Sequence, residues 1–264
     1  MLLIFSAHEK SIMDVLEELI AKKPHLKDTL RLYEKSLHFM DAVRELRVMV
    51  RPELNAYPPE LTGQIVQRFV SIFSLPEGSL NPLQQAMELG EIDFRRLPLL
   101  EVPAFSLPYP EDDLTMLLFL ISRPFFFRMR ESSPVRKGKG GKGHCSLCGA
   151  RPSLMSHRSD KHYHLHCSFC GTVENGDPAG CTACRSRSRA RSTMFSFHGE
   201  EGFTFQTCDV CRSYRKIVDG ELLATMTPDL ADLISLPLDV AIQDKGYKRT
   251  SPNPLGMVRM SAKG

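Results

Sequence analysis

Tryptophan is absent from these 264 residues, and cysteine is absent from the first 144. No apolar run approaches the ~20 residues of a membrane-spanning helix. The most apolar stretch, Leu114 to Ile121 (LTMLLFLI), is closed at once by Ser122, Arg123 and Pro124, so no membrane span is expected. The start, MLLIF, has neither a basic flank nor a small-residue cleavage site, which argues against a secretory leader. Charge of one sign is scarce as well: 34 Lys+Arg face 31 Asp+Glu, a net +3, and that balance alone implies no polyanionic partner. There is no paired-carboxylate, Ser/His/Asp or phosphate-loop pattern, and no catalytic residue is proposed. The reading is of a soluble, intracellular chain.

The cysteine-free part reads as helical. Ile12, Val15, Leu16, Leu19 and Ile20 fall at helical spacing behind Ser11 as a cap. Leu30, Tyr33, Leu37, Met40 and Val43 make a second stripe. Pro52, Pro58 and Pro59 interrupt the chain before a third, at Ile65, Phe69, Ile72 and Phe73. Residues 97–110 carry four prolines and read as a loop, and Asp112 and Asp113 open a fourth helix to about Met129. Residues 131–144, ESSPVRKGKGGKGH, have the composition of a flexible basic linker. Near the end, Ser213 to Leu223 reads as a strand pair turning at Asp219-Gly220. TPDLADLISLPLDVAIQDKG reads as one closing helix, with Thr227 as cap, Pro228 at its first position and Gly246 as stop.

All eight cysteines lie between 145 and 211, each in a C-x-x-C pair: Cys145/Cys148, Cys167/Cys170, Cys181/Cys184 and Cys208/Cys211. Two intervening residues let one tight turn aim both sulfurs at one ion, and two such turns complete a tetrahedron. A single pair could serve as a redox dithiol; four in succession without a βαβ pattern point to tetrathiolate metal binding. The spacers are 18, 10 and 23 residues. The longer two leave room for a hairpin, so the first pair is joined to the second and the third to the fourth, with an interleaved cross-brace as the alternative. Glycine follows Cys148 and Cys170, whereas arginine follows Cys184 and Cys211. A non-glycine residue is costly where φ is positive, so the second site is expected to hold metal less tightly or to be the more reactive.

His162, His164 and His166 alternate, as do Arg185, Arg187, Arg189 and Arg191. In strands each set shares one face, and both read as surface or interface stripes. Residues 131–192 hold eleven Lys+Arg against four Asp+Glu. A divalent ion with four thiolates carries a net −2, so two sites offset much of this excess, with Arg185 and Arg212 nearest in sequence. The outer arginines, Arg187, Arg189 and Arg191, are candidates for contacting a partner. Phe195, Phe197, Phe203 and Phe205 would be either stacking platforms or the buried face of a hairpin.

HYHLHCSFCGT, CTACRS, TCDVCRSYRK and the tail LADLISLPLDVAIQDKGYKRTSPNPLG together resemble the formate dehydrogenase accessory protein FdhE family. The resemblance implies a cytoplasmic maturation factor rather than an enzyme. Such a factor binds the catalytic subunit of a respiratory formate dehydrogenase, a molybdenum enzyme exported by the twin-arginine route, and assists its assembly before export. It also implies an α+β architecture: an N-terminal all-α domain (1–130), the linker (131–144), and two tandem rubredoxin-like, or zinc-ribbon-like, metal modules. The first module would span 145–180 and the second, with a C-terminal helix and tail, 181–264. The eight cysteines would hold two mononuclear tetrathiolate ions, iron by resemblance, zinc as the alternative. Two other functions stay open at this level, a zinc-ribbon nucleic-acid binder and an iron tetrathiolate redox protein, with nucleic acid the less favoured partner.

Overall fold

The structure, a computed structural model, describes residues 5–47, 54–99, 107–133, 143–152, 154–157, 162–188, 191–251 and 253. Most of the 131–144 segment, Arg189, Pro52 and the last residues of the tail lie outside them. Helices and a sheet share one hydrophobic core.

The helical layer consists of α1 (Phe5–Lys22), α2 (Lys27–Glu45), α3 (Pro59–Phe73), α4 (Asn81–Glu88) and α5 (Glu111–Ser132). The apolar stripes are core: Leu16, Leu30, Tyr33, Val43, Ile65 and Phe69 are buried. Helix α1 starts at Phe5, so Ser11 lies within it rather than capping it; nothing in the preceding turns breaks a helix, and an interior serine costs little. Helix α4 has only eight residues, too short to stand out by periodicity. A 3-10 helix, Phe94–Leu99, runs into the start of the stretch read as a loop. Three acidic residues in the first turn of α5 oppose the positive end of its dipole. From Leu118 to Phe126 the helix is buried on every side, as expected of an element at the centre of a fold. The Tyr57 hydroxyl donates to Ile121 O (2.9 Å) one turn before Pro124.

The remaining chain builds one seven-stranded sheet from β1 (Leu154–His157), β2 (Tyr163–His166), β3 (Val173–Asn175), β4 (Ser192–Ser196), β5 (Phe203–Cys208), β6 (Ser213–Asp219) and β7 (Lys248–Arg249). The order is β3-β2-β1-β6-β5-β4, with β7 also on β6. Neighbours β1–β2, β2–β3, β4–β5 and β5–β6 are antiparallel, while β1 runs parallel to β6, Leu154 opposite Lys216. The two cysteine-bearing halves are thus tandem in sequence and continuous in hydrogen bonding.

Ser213 to Leu223 is not a strand pair. A single strand, β6, ends at Asp219 and a 3-10 turn follows at Leu222–Ala224; β6 finds its partners in β5, β1 and β7, which use both its edges. The closing helix is two helices, α6 (Pro228–Ile234) and α7 (Leu236–Gln243). Pro237 has no N–H to give and its ring crowds the carbonyl four residues back, which breaks the helix. Thr227 caps α6, its hydroxyl accepting from Leu230 N at 3.2 Å.

Candidate metal centres

The eight sulfurs converge into two tetrads, Cys145/Cys148/Cys167/Cys170 and Cys181/Cys184/Cys208/Cys211, each with its sulfurs within 4.8 Å of one another. The grouping is sequential, not cross-braced. In the first, Cys145–Cys170 and Cys148–Cys167 sulfurs stand 3.5 and 3.4 Å apart; in the second, Cys181–Cys211 and Cys184–Cys208 both stand 3.7 Å apart. No disulfide forms. With metal–sulfur bonds of about 2.3 Å, a regular tetrahedron has edges of about 3.8 Å. Donor type, number and spacing therefore fit one tetrahedral ion per tetrad, and either zinc or iron satisfies them.

Three knuckles are the same turn. Gly149, Gly171 and Arg185 donate to the carbonyls of Cys145, Cys167 and Cys181 (3.0, 2.8 and 2.9 Å), and each first cysteine donates to the carbonyl five residues on. The fourth closes the β5–β6 hairpin, with Cys208 opposite Ser213. The residue after every second cysteine has positive φ: Gly149 +80°, Gly171 +67°, Arg185 +63° and Arg212 +55°. The second site accordingly makes its turns with L-residues in the left-handed region. A hydroxyl lies two residues beyond each final cysteine. Thr172 Oγ1 is 3.0 Å from Cys170 Sγ, and Ser213 Oγ is 3.0 Å from Cys211 and 3.5 Å from Cys181. Burial raises the Cys181 thiol, but the Cys184 and Ala183 N–H groups and the Ser213 hydroxyl outweigh it and bring it to about 6.

The surroundings of the two sites differ. Cys145, Cys167 and Cys170 are buried and Cys148 is half-buried. Helix α5 lies against the second knuckle: Phe119 and Phe126 pack edge-on against Phe169 at 5.3 and 5.9 Å. Buried Arg123 donates to Ser168 O (3.1 Å) and pairs with Asp229, while Arg130 donates to Gly171 O (2.8 Å). In the second tetrad Cys208 is buried, Cys181 and Cys211 are half-buried and Cys184 is exposed. Arg215, 4% exposed, donates to Gln206 Oε1 (2.7 Å) and Pro178 O (2.8 Å). Burial depresses its guanidinium, and the Cys181 charge works against that.

Neither alternating stripe survives as a flat face. His166 points into the protein, its Nε2 2.8 Å from Ser156 Oγ, and burial together with neighbouring His164 lowers its imidazole to about 4. Arg185 to Ser188 follow the third knuckle as irregular chain and β4 begins only at Ser192, because closing a knuckle and extending a strand require different backbone angles. Arg187 is exposed and paired with Asp177 (2.8 Å); Arg191 is exposed, and Arg189 lies outside the described residues. Phe203 and Phe205 are buried, and Phe197 packs edge-on against Phe205 (5.7 Å), so these rings belong to the hairpin's inner face.

One constellation escaped the sequence reading. Lys216 on β6 is 2.7 Å from both Asp232 of α6 and Asp239 of α7. Arg249 on β7 reaches the same pair at 2.5 and 3.4 Å. Asn253 donates to Asp232 (2.6 Å) and the Tyr214 hydroxyl to Asp239 (2.7 Å). All six residues are buried. Two aspartates seven residues apart on an apolar helical face were the available signal.

A family model described as the C-terminal domain of FdhE matches residues 180–255. Among curated proteins, the chain is 32% identical over 115 residues to the Protein FdhE homolog of Haemophilus influenzae, a match covering 42% of this chain and 37% of that protein. To the Protein FdhE homolog of Aquifex aeolicus it is 27% identical over 151 residues, covering 55% and 53%. The chain thus spans between about a third and a half of the length of these curated relatives. The crystal structure of the FdhE protein from Pseudomonas aeruginosa superposes with a TM-score of 0.63 at 18% identity, covering 92% of this chain and 93% of that one, which establishes the shared fold.

Proposed function

We propose that the chain is a member of the FdhE family, which it resembles in its C-terminal part and in its fold, and that it acts in the cytoplasm as a formate dehydrogenase accessory protein. It binds the catalytic subunit of a respiratory formate dehydrogenase and assists its assembly before export. The observation that carries this reading is the pair of four-cysteine centres set in one sheet, joined to a region that matches the FdhE C-terminal domain.

Cys145, Cys148, Cys167 and Cys170 would hold one ion, and Cys181, Cys184, Cys208 and Cys211 the other. A bound ion would cross-link two knuckles distant in sequence, and iron would add a one-electron couple. The chain's own groups do the remaining work. The Thr172 and Ser213 hydroxyls hydrogen-bond with the sulfurs of Cys170 and Cys211, Arg123 and Arg130 fix the second knuckle by its carbonyls, and exposed Arg187 and Arg191 offer cationic contacts to a client.

The test is affinity capture of the tagged full-length chain from an anaerobic host, with Cys167→Ser as comparison and metal analysis alongside. The expected result is a formate dehydrogenase catalytic subunit recovered with the parent chain and two metal equivalents. Recovery of no such subunit overturns the reading.

A further inference from the structure

The two tetrads share a donor set but not a setting. The first is enclosed, with three of its cysteines at most 3% exposed and its second knuckle held by Arg123 and Arg130. The fourth knuckle is also tethered. Arg212 lies over the Tyr247 ring at 4.1 Å and donates to Lys245 O (2.9 Å), Lys248 N donates to Arg212 O (2.7 Å), and Tyr247 Oη donates to Asp209 (2.6 Å). The third knuckle has a different character. Its Cys184 is exposed, its turn is closed by an arginine at φ +63°, and the Ser213 hydroxyl serves Cys181 and Cys211 rather than Cys184.

From these differences we infer that the centres divide the work: the first is a closed structural clamp, and the second is an exchange centre that a thiol-bearing ligand enters by displacing Cys184. The inference rests on reading both tetrads as metal sites. An incoming thiol gives up its proton and its sulfur takes the fourth position. The Cys184 sulfur leaves as a thiolate and takes up a proton, so no electron moves. A thiolate is the soft ligand such a centre prefers. Arg185, exposed and next to Cys184 in the chain, offsets the repulsion between an anion and a tetrathiolate of net −2. Cys181 remains on the ion, held by the turn closed from Arg185 N to Cys181 O.

The experiment uses the full-length chain reconstituted with excess zinc, desalted, and challenged with a chromogenic zinc chelator with and without glutathione. Parallel samples receive a brief iodoacetamide pulse and are mapped by mass spectrometry. Two equivalents should leave in two phases separated by roughly tenfold, the factor one left-handed L-residue supplies. Glutathione should accelerate only the faster phase, and alkylation should mark Cys184 first. Arg185→Gly, which keeps every ligand, should slow the fast phase severalfold. Fewer than two bound equivalents overturns the metal reading itself. Two equivalents released in a single phase, or first alkylation at Cys148, overturns this inference and leaves that reading standing.

Discussion

Gly171 shows how closely the helical layer approaches a metal knuckle. Its φ is +67°, and a Cβ there would meet Arg130 Nη1 at 2.5 Å and the Phe127 ring at 2.9 Å. Gly90 has φ +73° with nothing within 4 Å, so it isolates the backbone cost. Alanine at Gly90 should destabilise by about 1 kcal/mol, and at Gly171 by clearly more, since backbone strain is joined by a clash; urea denaturation of the two variants reads the difference. The glycine after each of the first two knuckles was legible in the sequence, because the turn chemistry is local. The arginine and phenylalanine against Gly171 were not, being 41 and 44 positions away on α5. His166 illustrates the same boundary: alternation put three histidines on one face, but which part of that face is covered depends on strands elsewhere in the chain.

At the level of elements, α6, α7, β6 and β7 are joined by a charge-balanced buried cluster. Breaking one side of such a cluster strands a charge in the interior, which costs about 3–5 kcal/mol. Lys216→Met should lose that much, measured by chemical denaturation, because Asp232 and Asp239 would share Arg249 alone. Burial pushes the Asp232 carboxyl up, and the Arg249 and Lys216 cations outweigh it and hold the group well below the ordinary carboxylate range. A carboxyl depressed in the folded state contributes its stability in full above the unfolded value, near pH 4, and loses it as pH falls toward the folded one. The melting-temperature gap between the parent chain and Asp232→Asn should therefore be widest near neutrality and narrow below about pH 4. Metal loss in acid is common to both chains and cancels in that comparison. The sequence supplied Thr227, Pro228 and the apolar face of this region. It did not supply the break at Ser235 or the ion cluster, since the partners of Asp232 and Asp239 come from strands that single-segment periodicity does not relate to them.

For the molecule as a whole, α5 and the first tetrad form one mechanical unit, while the second tetrad is tethered instead by the chain that follows α7. Opening the first site should be felt in the helical layer. In hydrogen exchange followed by mass spectrometry, Cys170→Ala should lower protection along α5, whereas Cys184→Ser should leave it close to the parent level. Equal loss in both variants would count against this coupling. Sequential grouping of the cysteines was legible from spacer lengths, because spacers of 18 and 23 residues leave room for a hairpin and one of ten suits a connection. The union of the two halves into one sheet was not, because a parallel β1–β6 pairing across 62 positions leaves no short-range mark.

That pairing sets an order of events during synthesis. By the time Cys170 has emerged, the first tetrad, β1 and β2 are all present, yet the inner edge of β1 must wait for Leu154 to meet Lys216. Until then a strand with three of its four residues buried in the finished protein presents unpaired backbone, the kind of edge that recruits other chains. A metal ion taken up early by the first four cysteines would hold that half in shape through the interval. Supply of the ion would then govern the yield of folded chain before it governed anything the finished protein does.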